Sequence, residues 1–214
     1  IPLGENTQEI LEKMPGYGRE YIETLKAEGI IAPPAKPSSP TPISPQTQPI
    51  VESYDKLPWL KNNKSDMALE GLRIIELGSN LAASFAASLL ADFGGEVIKI
   101  EEPGLGDNLR HLPPFYQGKS LWWAVEGRNK KSITLDLRIE GARSVLKELV
   151  AISDIVIEGF SPGTLEKWGI GYEELKKVNE KVILLRISGF GQEGPYKDRL
   201  SFDPVATAMG GTTS

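Results

Sequence analysis

Leu72-Arg73-Ile74-Ile75-Glu76-Leu77-Gly78 is followed by an Ala- and Leu-rich stretch at 82–93 and then by Val97-Ile98-Lys99-Ile100. The first and third stretches are short β-branched runs, the first closed by a glycine, and the second has the length and composition of a helix. Strand, helix, strand in that order pairs the two strands in parallel, because a parallel connection needs a crossover of a dozen or more residues. The pattern continues downstream. Residues 132–137, 154–158 and 182–187 predict three more strands, and 140–152, 164–168 and 173–179 predict the helices around them. The fold class is therefore α/β, a Rossmann-like, mostly parallel sheet with helices on both faces. Ligands on such sheets sit at the carboxyl ends of the strands.

Upstream of this unit the chain changes character. Ile10, Leu11 and Met14, then Tyr21, Ile22 and Leu25, fall at helical spacing with Gly29 as a stop, predicting helices over 7–14 and 19–28. Two helices this short do not make a domain and must pack on something else. Residues 33–49 hold seven prolines in seventeen positions among Ser, Thr and Gln, a composition that predicts an extended tether. The expected organisation is a helical tail at 1–32, a Pro-rich linker at 33–66 and the α/β unit at 67–214. A start at Ile1 and a stop at Met209-Gly210-Gly211-Thr212-Thr213-Ser214 suggest a piece from the middle of a longer polypeptide.

Composition narrows the chemistry. A net charge of −5 gives no global reason to bind nucleic acid or anionic membranes, so neither is an expected partner. An anionic ligand must be held by local Lys or Arg and by helix N-termini. The absence of cysteine removes disulfides, thiolate nucleophiles and Cys-ligated zinc, and the single His111 argues against a histidine-rich metal site. With no export signal and no apolar run near the 18 or so residues that span a bilayer, the cytoplasm is the expected compartment.

The turn Gly78-Ser79-Asn80-Leu81-Ala82-Ala83-Ser84 has only one of the glycines that a dinucleotide fingerprint requires. Glu101 reads either as a ribose-binding carboxylate or as a solvated cap at a strand end, and an NAD enzyme is disfavoured. No Walker loop occurs. Trp122 and Trp123 read as core and subunit packing rather than a stacking platform for bases, and His111, in a Pro-rich loop, as non-catalytic.

Read together, the turns resemble a known family. Leu89-Leu90-Ala91-Asp92-Phe93-Gly94-Gly95-Glu96-Val97-Ile98-Lys99-Ile100-Glu101, then Pro103-Gly104 and Gly106-Asp107, is similar to the opening of the class III CoA-transferases, the CaiB/BaiF family of formyl-CoA transferase and carnitine CoA-transferase. Asn129-Lys130-Lys131-Ser132, Asp154-Ile155-Val156-Ile157-Glu158-Gly159-Phe160-Ser161-Pro162-Gly163, Gly169-Ile170-Gly171-Tyr172 and Ser188-Gly189-Phe190-Gly191 follow in that family's order. The tail, with Pro2-Leu3-Gly4-Glu5-Asn6-Thr7 and Leu25-Lys26-Ala27-Glu28-Gly29-Ile30, resembles the family's last residues. The chain thus looks like the junction of two fused copies.

The resemblance implies a transferase that moves CoA from an acyl-CoA to a carboxylic acid through aspartyl anhydride and aspartyl-CoA thioester intermediates. It implies coenzyme A or acyl-CoA as substrate, no permanently bound cofactor, and an interlocked homodimer or a pseudo-dimer of fused copies. CoA contacts carried over by position are Leu81 and Ala82, Leu135, Asp136, Leu137 and Arg138, Gly159, Phe160 and Ser161, Lys167, and Leu200, Ser201, Phe202 and Asp203. Arg138 and Lys167 are the expected phosphate partners. The family's nucleophilic aspartate is expected beyond Ser214, so this chain is expected to be inactive alone. Glu102 stands where some relatives carry a basic CoA contact, and Gly159 where many carry Asn. Phe202 occupies the place of a histidine base in α-methylacyl-CoA racemases, which disfavours racemase chemistry. A non-catalytic CoA-binding or dimer-forming half is the alternative from another class.

Overall fold

The computed structural model describes residues 3–31 and 67–212, so the expected linker at 33–66 lies outside the described residues. Two short helices come first, α1 (Thr7–Glu12) and α2 (Arg19–Ala27). The α/β unit opens with β1 (Arg73–Leu77), α3 (Leu81–Asp92) and β2 (Glu96–Glu101). A 3-10 turn at Asn108–His111 leads into a hairpin, β3 (Phe115–Tyr116) and β4 (Lys119–Ser120), and then α4 (Leu121–Glu126). After these come β5 (Lys130–Thr134), α5 (Glu140–Ala151), β6 (Ile155–Glu158) and α6 (Thr164–Lys167). The last elements are α7 (Tyr172–Val178), β7 (Ile183–Arg186) and α8 (Asp203–Met209).

Five strands form one parallel sheet in the order β5-β2-β1-β6-β7, as the strand-helix alternation predicts. The hairpin is not visible in the sequence pattern. Its two-residue strands turn on Gln117 and Gly118, both at positive φ (50° and 74°), the geometry that matches strand twist in tight hairpins. β5 also begins two residues before its expected start and ends three before its expected end. Leu135 N still bonds the Glu101 carbonyl, but Asp136 N turns to the carbonyl of Ile30, so the tail draws 135–137 out of the ladder.

Side chains alternate across the sheet, and the two faces differ. On one, Ile75, Ile98, Ile100, Ile133 and Val156 meet α5 through Ala142, Val145, Leu146, Leu149 and Val150, the stripe expected of an amphipathic helix. The tail helices belong to this same core, with Ile10, Leu11, Met14, Ile22, Leu25 and Ile30 buried in it. Each such side chain contributes about 1.5–3 kcal/mol by leaving water, so the tail is an integral layer of the unit. On the other face Ile74, Val97 and Ile157 pack against Ala83, Ala87 and Ala91 of α3. Small residues bring that helix close to the strands.

The tail also covers the outer edge of β5. Asn6 donates its N–H to the Ser132 carbonyl (2.9 Å), and the Asn6 Oδ1 accepts from Ser132 N (3.0 Å). Thr7 Oγ1 accepts from Thr134 N (3.1 Å), Gly4 N donates to Ser132 Oγ (2.9 Å), and Thr134 Oγ1 donates to the Ile31 carbonyl. Among the described residues no helix is long and apolar enough to cross a membrane.

Candidate functional site

Progress along the sheet reverses once. From β1 the chain moves through β2 to β5 in one direction, then jumps back across β1 to β6 and on to β7. The crevice at the carboxyl ends of β1 and β6 is the place where such folds bind ligands. Gly78 closes β1 at φ +96°, and a Cβ there would lie 3.1 Å from the backbone N of Gly159. Any side chain at position 78 would push the two strand exits apart. Beside them a cleft of about 340 Å³ opens over the ends of β1, β2 and β5. Gly78, Ser79, Asp107, Leu135 to Arg138, Phe160 and Trp168 are among its walls.

Beneath the cleft, on the α3 face, lies a buried ion network. Lys99 Nζ sits 2.5 Å from Glu76 Oε1 and 2.6 Å from Asp107 Oδ2, and Lys130 Nζ sits 2.7 Å from Glu76 Oε2. All four side chains are at most 1% exposed. Ser84 of α3 donates to Glu76 Oε1 (2.7 Å), which a larger residue facing the sheet would prevent. Burial works to push the Glu76 carboxyl up, but Lys99 and Lys130 outweigh it and hold it below the ordinary carboxylate value. Burial likewise works to lower Lys99, whose two carboxylate partners reverse the effect, whereas Lys130, with one, stays lowered.

Asp107 joins this network to the cleft wall. Its Oδ1 accepts from Leu109 N (2.8 Å), Asn80 N (3.1 Å) and Ser79 Oγ (3.2 Å). Asn80 has φ 74° and ψ −165°, a backbone region that is close to glycine-only and costs about 1–3 kcal/mol. Hydrogen bonds to a charged acceptor, at about 1.5–3 kcal/mol each, are enough to hold it there. Glu101 stands next in line. It takes both nitrogens of the Arg110 fork at 2.8 Å and a short bond from Ser132 Oγ (2.5 Å), while Arg110 stacks 3.7 Å over Trp123. Glu101 is therefore neither a solvated cap nor an unengaged ribose-binding carboxylate. Its partners come from loop, strand and 3-10 turn, which no local pattern reveals.

Of the residues carried over as CoA contacts, the structure gathers Leu135, Asp136, Leu137, Arg138 and Phe160 around the cleft. Gly159 abuts Gly78, with its own would-be Cβ 3.2 Å from Ala83 Cβ. Leu81 and Ala82 are the exposed first residues of α3, just past Asn80, and Ser161 and Lys167 lie exposed around the start and end of α6. Leu200, Ser201, Phe202 and Asp203 do not line the cleft; Leu200 and Phe202 are strongly exposed, and Asp203 begins α8. Arg138 is tied to Asp136 (2.7 Å) and to Glu102 (2.6 Å), and the hydrogen bond to Asp136 first of all raises the guanidinium further. Lys167 has no ion-pair partner among the described residues. The two tryptophans separate, Trp123 buried and Trp122 at 41% exposure, so only Trp123 is core. His111 closes the 3-10 turn with Nε2 2.9 Å from the Leu105 carbonyl. The residues that sequence reasoning did not single out are Ser79, Asn80, Lys99 and Asp107.

The family model described as CoA-transferase family III matches residues 69–214. The chain belongs to CoA-transferase family III. The family III relatives include succinyl-CoA–D-citramalate CoA-transferase of Chloroflexus aurantiacus, 49% identical over 153 residues, which cover 71% of this chain and 38% of that protein. The succinyl-CoA:glutarate CoA-transferase of Mus musculus is 42% identical over 158 residues, 72% of this chain and 36% of its own length. Among solved structures, a CaiB/BaiF family protein from Brucella suis superposes with a TM-score of 0.65 at 39% identity, covering 69% of this chain and 40% of that one. The chain thus spans well under half the length of these family III relatives.

Proposed function

We propose that the α/β unit supplies the CoA-binding wall of a transferase that passes CoA from an acyl-CoA, of which succinyl-CoA is the first to test, to a carboxylic acid. One observation carries this reading: the cleft at the strand ends is built from the Leu135–Arg138 turn, Phe160 and the Gly78-Ser79 turn. Similarity to succinyl-CoA transferases supports the choice of donor. The nucleotide phosphates go to Lys167 and Arg138, and Lys167 is the readier cation because Arg138 must first exchange Glu102 for phosphate.

In the longer protein an aspartate carboxylate beyond Ser214 attacks the thioester carbonyl, the C–S bond breaks, and CoA thiolate leaves behind a mixed anhydride. The thiolate then attacks the aspartyl carbonyl and releases the donor acid. An acceptor carboxylate attacks the aspartyl-CoA thioester, again expelling thiolate, which takes the acceptor's acyl group and frees the aspartate. Glycine-loop N–H groups stabilise the oxyanions. An interlocked partner copy, in trans or fused, completes the pocket.

Calorimetry of the chain with CoA and with dephospho-CoA tests the binding half. The expected result is binding of both, weaker without the 3′-phosphate, and no binding of either refutes the assignment. Hydroxylamine trapping tests the chemical half. Succinyl-CoA with hydroxylamine is expected to leave a protein hydroxamate on the extended protein and none on the 214-residue chain, and a hydroxamate on Asp203 would overturn the assignment of the nucleophile.

A further inference from the structure

Asp107 takes no part in the proposed chemistry, and its side chain is fully buried. Yet its hydrogen bonds run to the wall of the cleft and to the turns beside it. Oδ1 gathers the N–H groups of Asn80 and Leu109 and the hydroxyl of Ser79. Ser79 Oγ in turn accepts from Asn108 N (2.9 Å), and Asp107 N donates to Glu101 Oε2 (2.9 Å). Two loops far apart in sequence are therefore latched to each other at one carboxylate. Oδ2 is anchored from below by Lys99, which is itself fixed by Glu76. The latch holds Asn80 in a backbone conformation that an L-residue does not keep unaided. Asn80 immediately precedes α3, so its conformation sets where that helix and the Gly78-Ser79 wall stand.

We propose that Asp107 is a positioning residue: anchored by Lys99, its carboxylate fixes the Ser79-Asn80 turn against the Asn108–His111 turn, so that ligand binding in the cleft depends on a carboxylate that is itself fully buried. The binding half of this statement rests on the CoA assignment above, whereas the latch itself does not.

The test separates the two. Hydrogen exchange at the Asn80 and Leu109 amides reads the latch without ligand, and calorimetry with CoA reads its consequence. In Asp107→Asn both amides are expected to exchange about tenfold faster or more, with Ile98 and Val156 unchanged, and CoA affinity is expected to fall about tenfold, in line with loss of charged hydrogen bonds. Ser79→Ala leaves the Lys99 pair intact and is expected to give a smaller change, about threefold, at Asn80 and in CoA affinity, so it decides the matter if Asp107→Asn does not fold. Unchanged exchange at Asn80 in a folded variant overturns the latch. Faster exchange with unchanged CoA affinity overturns the positioning role. If the parent chain binds no CoA, the CoA assignment falls, and the exchange measurement alone decides whether Asp107 holds the turn.

Discussion

The two faces of the sheet are built by opposite rules. The α5 face is a continuous apolar layer that takes in the tail helices, and its cohesion is spread over many interchangeable contacts. The α3 face sets three aliphatic residues and a row of alanines around a closed ion network. Buried ion pairs gain little over apolar packing, but breaking one leaves an uncompensated charge. The difference teaches that bulk stability resides on one face, while the exact placement of the cleft walls is specified on the other.

The sharpest way to break this contrast is Lys99→Met, which leaves Glu76 with Lys130 alone and takes the cation from Asp107 Oδ2. It is expected to cost about 3–5 kcal/mol in urea denaturation and to abolish CoA binding. Leu146→Ala, at a fully buried position of α5, is expected to cost about 3 kcal/mol, with CoA affinity in the folded protein within twofold of the parent. A loss of affinity in Leu146→Ala equal to that in Lys99→Met would erase the distinction between the faces.

Acid sharpens the comparison further. Burial works to raise Glu101, but its hydrogen bonds to Arg110 and Ser132 leave it below the ordinary 4.5. Its contribution is therefore complete above 4.5 and is lost as pH falls through the lower folded value. Glu158, on the α5 face, is raised by burial in spite of Arg186, so it costs stability at neutral pH and that cost disappears as pH falls towards 4.5. Urea midpoints measured across pH are expected to fall less steeply below 4.5 in Glu101→Gln, and more steeply just above 4.5 in Glu158→Gln. Parallel curves would refute the opposite signs.

The smallest stability changes belong to the rim. Lys167→Glu and Arg138→Glu are expected to shift stability by about 0.5 kcal/mol or less, yet, in a protein extended to carry the proposed nucleophile, to raise KM for acyl-CoA well above that for the acceptor acid, Lys167→Glu the more strongly. An equal rise for both substrates would remove these residues from the nucleotide side.

Much of the fold was legible because it rests on local signals. β-branched runs such as Ile74-Ile75 and Ile155-Val156-Ile157 mark strands wherever they lie, and the 142, 145, 146, 149 spacing marks α5. The family turns brought Leu135 to Arg138 and Phe160 to the cleft, while Leu200 to Asp203 stand apart from it in the described residues. The ion network was not legible. Glu76, Lys99 and Lys130 each look like an ordinary charge in a strand, and only the parallel register sets them on one face next to a loop carboxylate. Nor does an asparagine after Gly78-Ser79 announce positive φ, since the force that holds it there comes from Asp107.

The strap along β5 has a consequence for how the protein behaves in concentrated solution. An outermost strand with open N–H and C=O groups invites pairing with the same strand of another molecule. Here Gly4, Asn6 and Thr7 occupy Ser132 and Thr134 along that strand with a mixture of backbone and side-chain groups, which offers a newcomer no regular ladder to extend. Residues 3–31 thus cover that border as well as forming a layer of the core, and a shortened chain that keeps the sheet but lacks them is expected to aggregate through the unguarded strand.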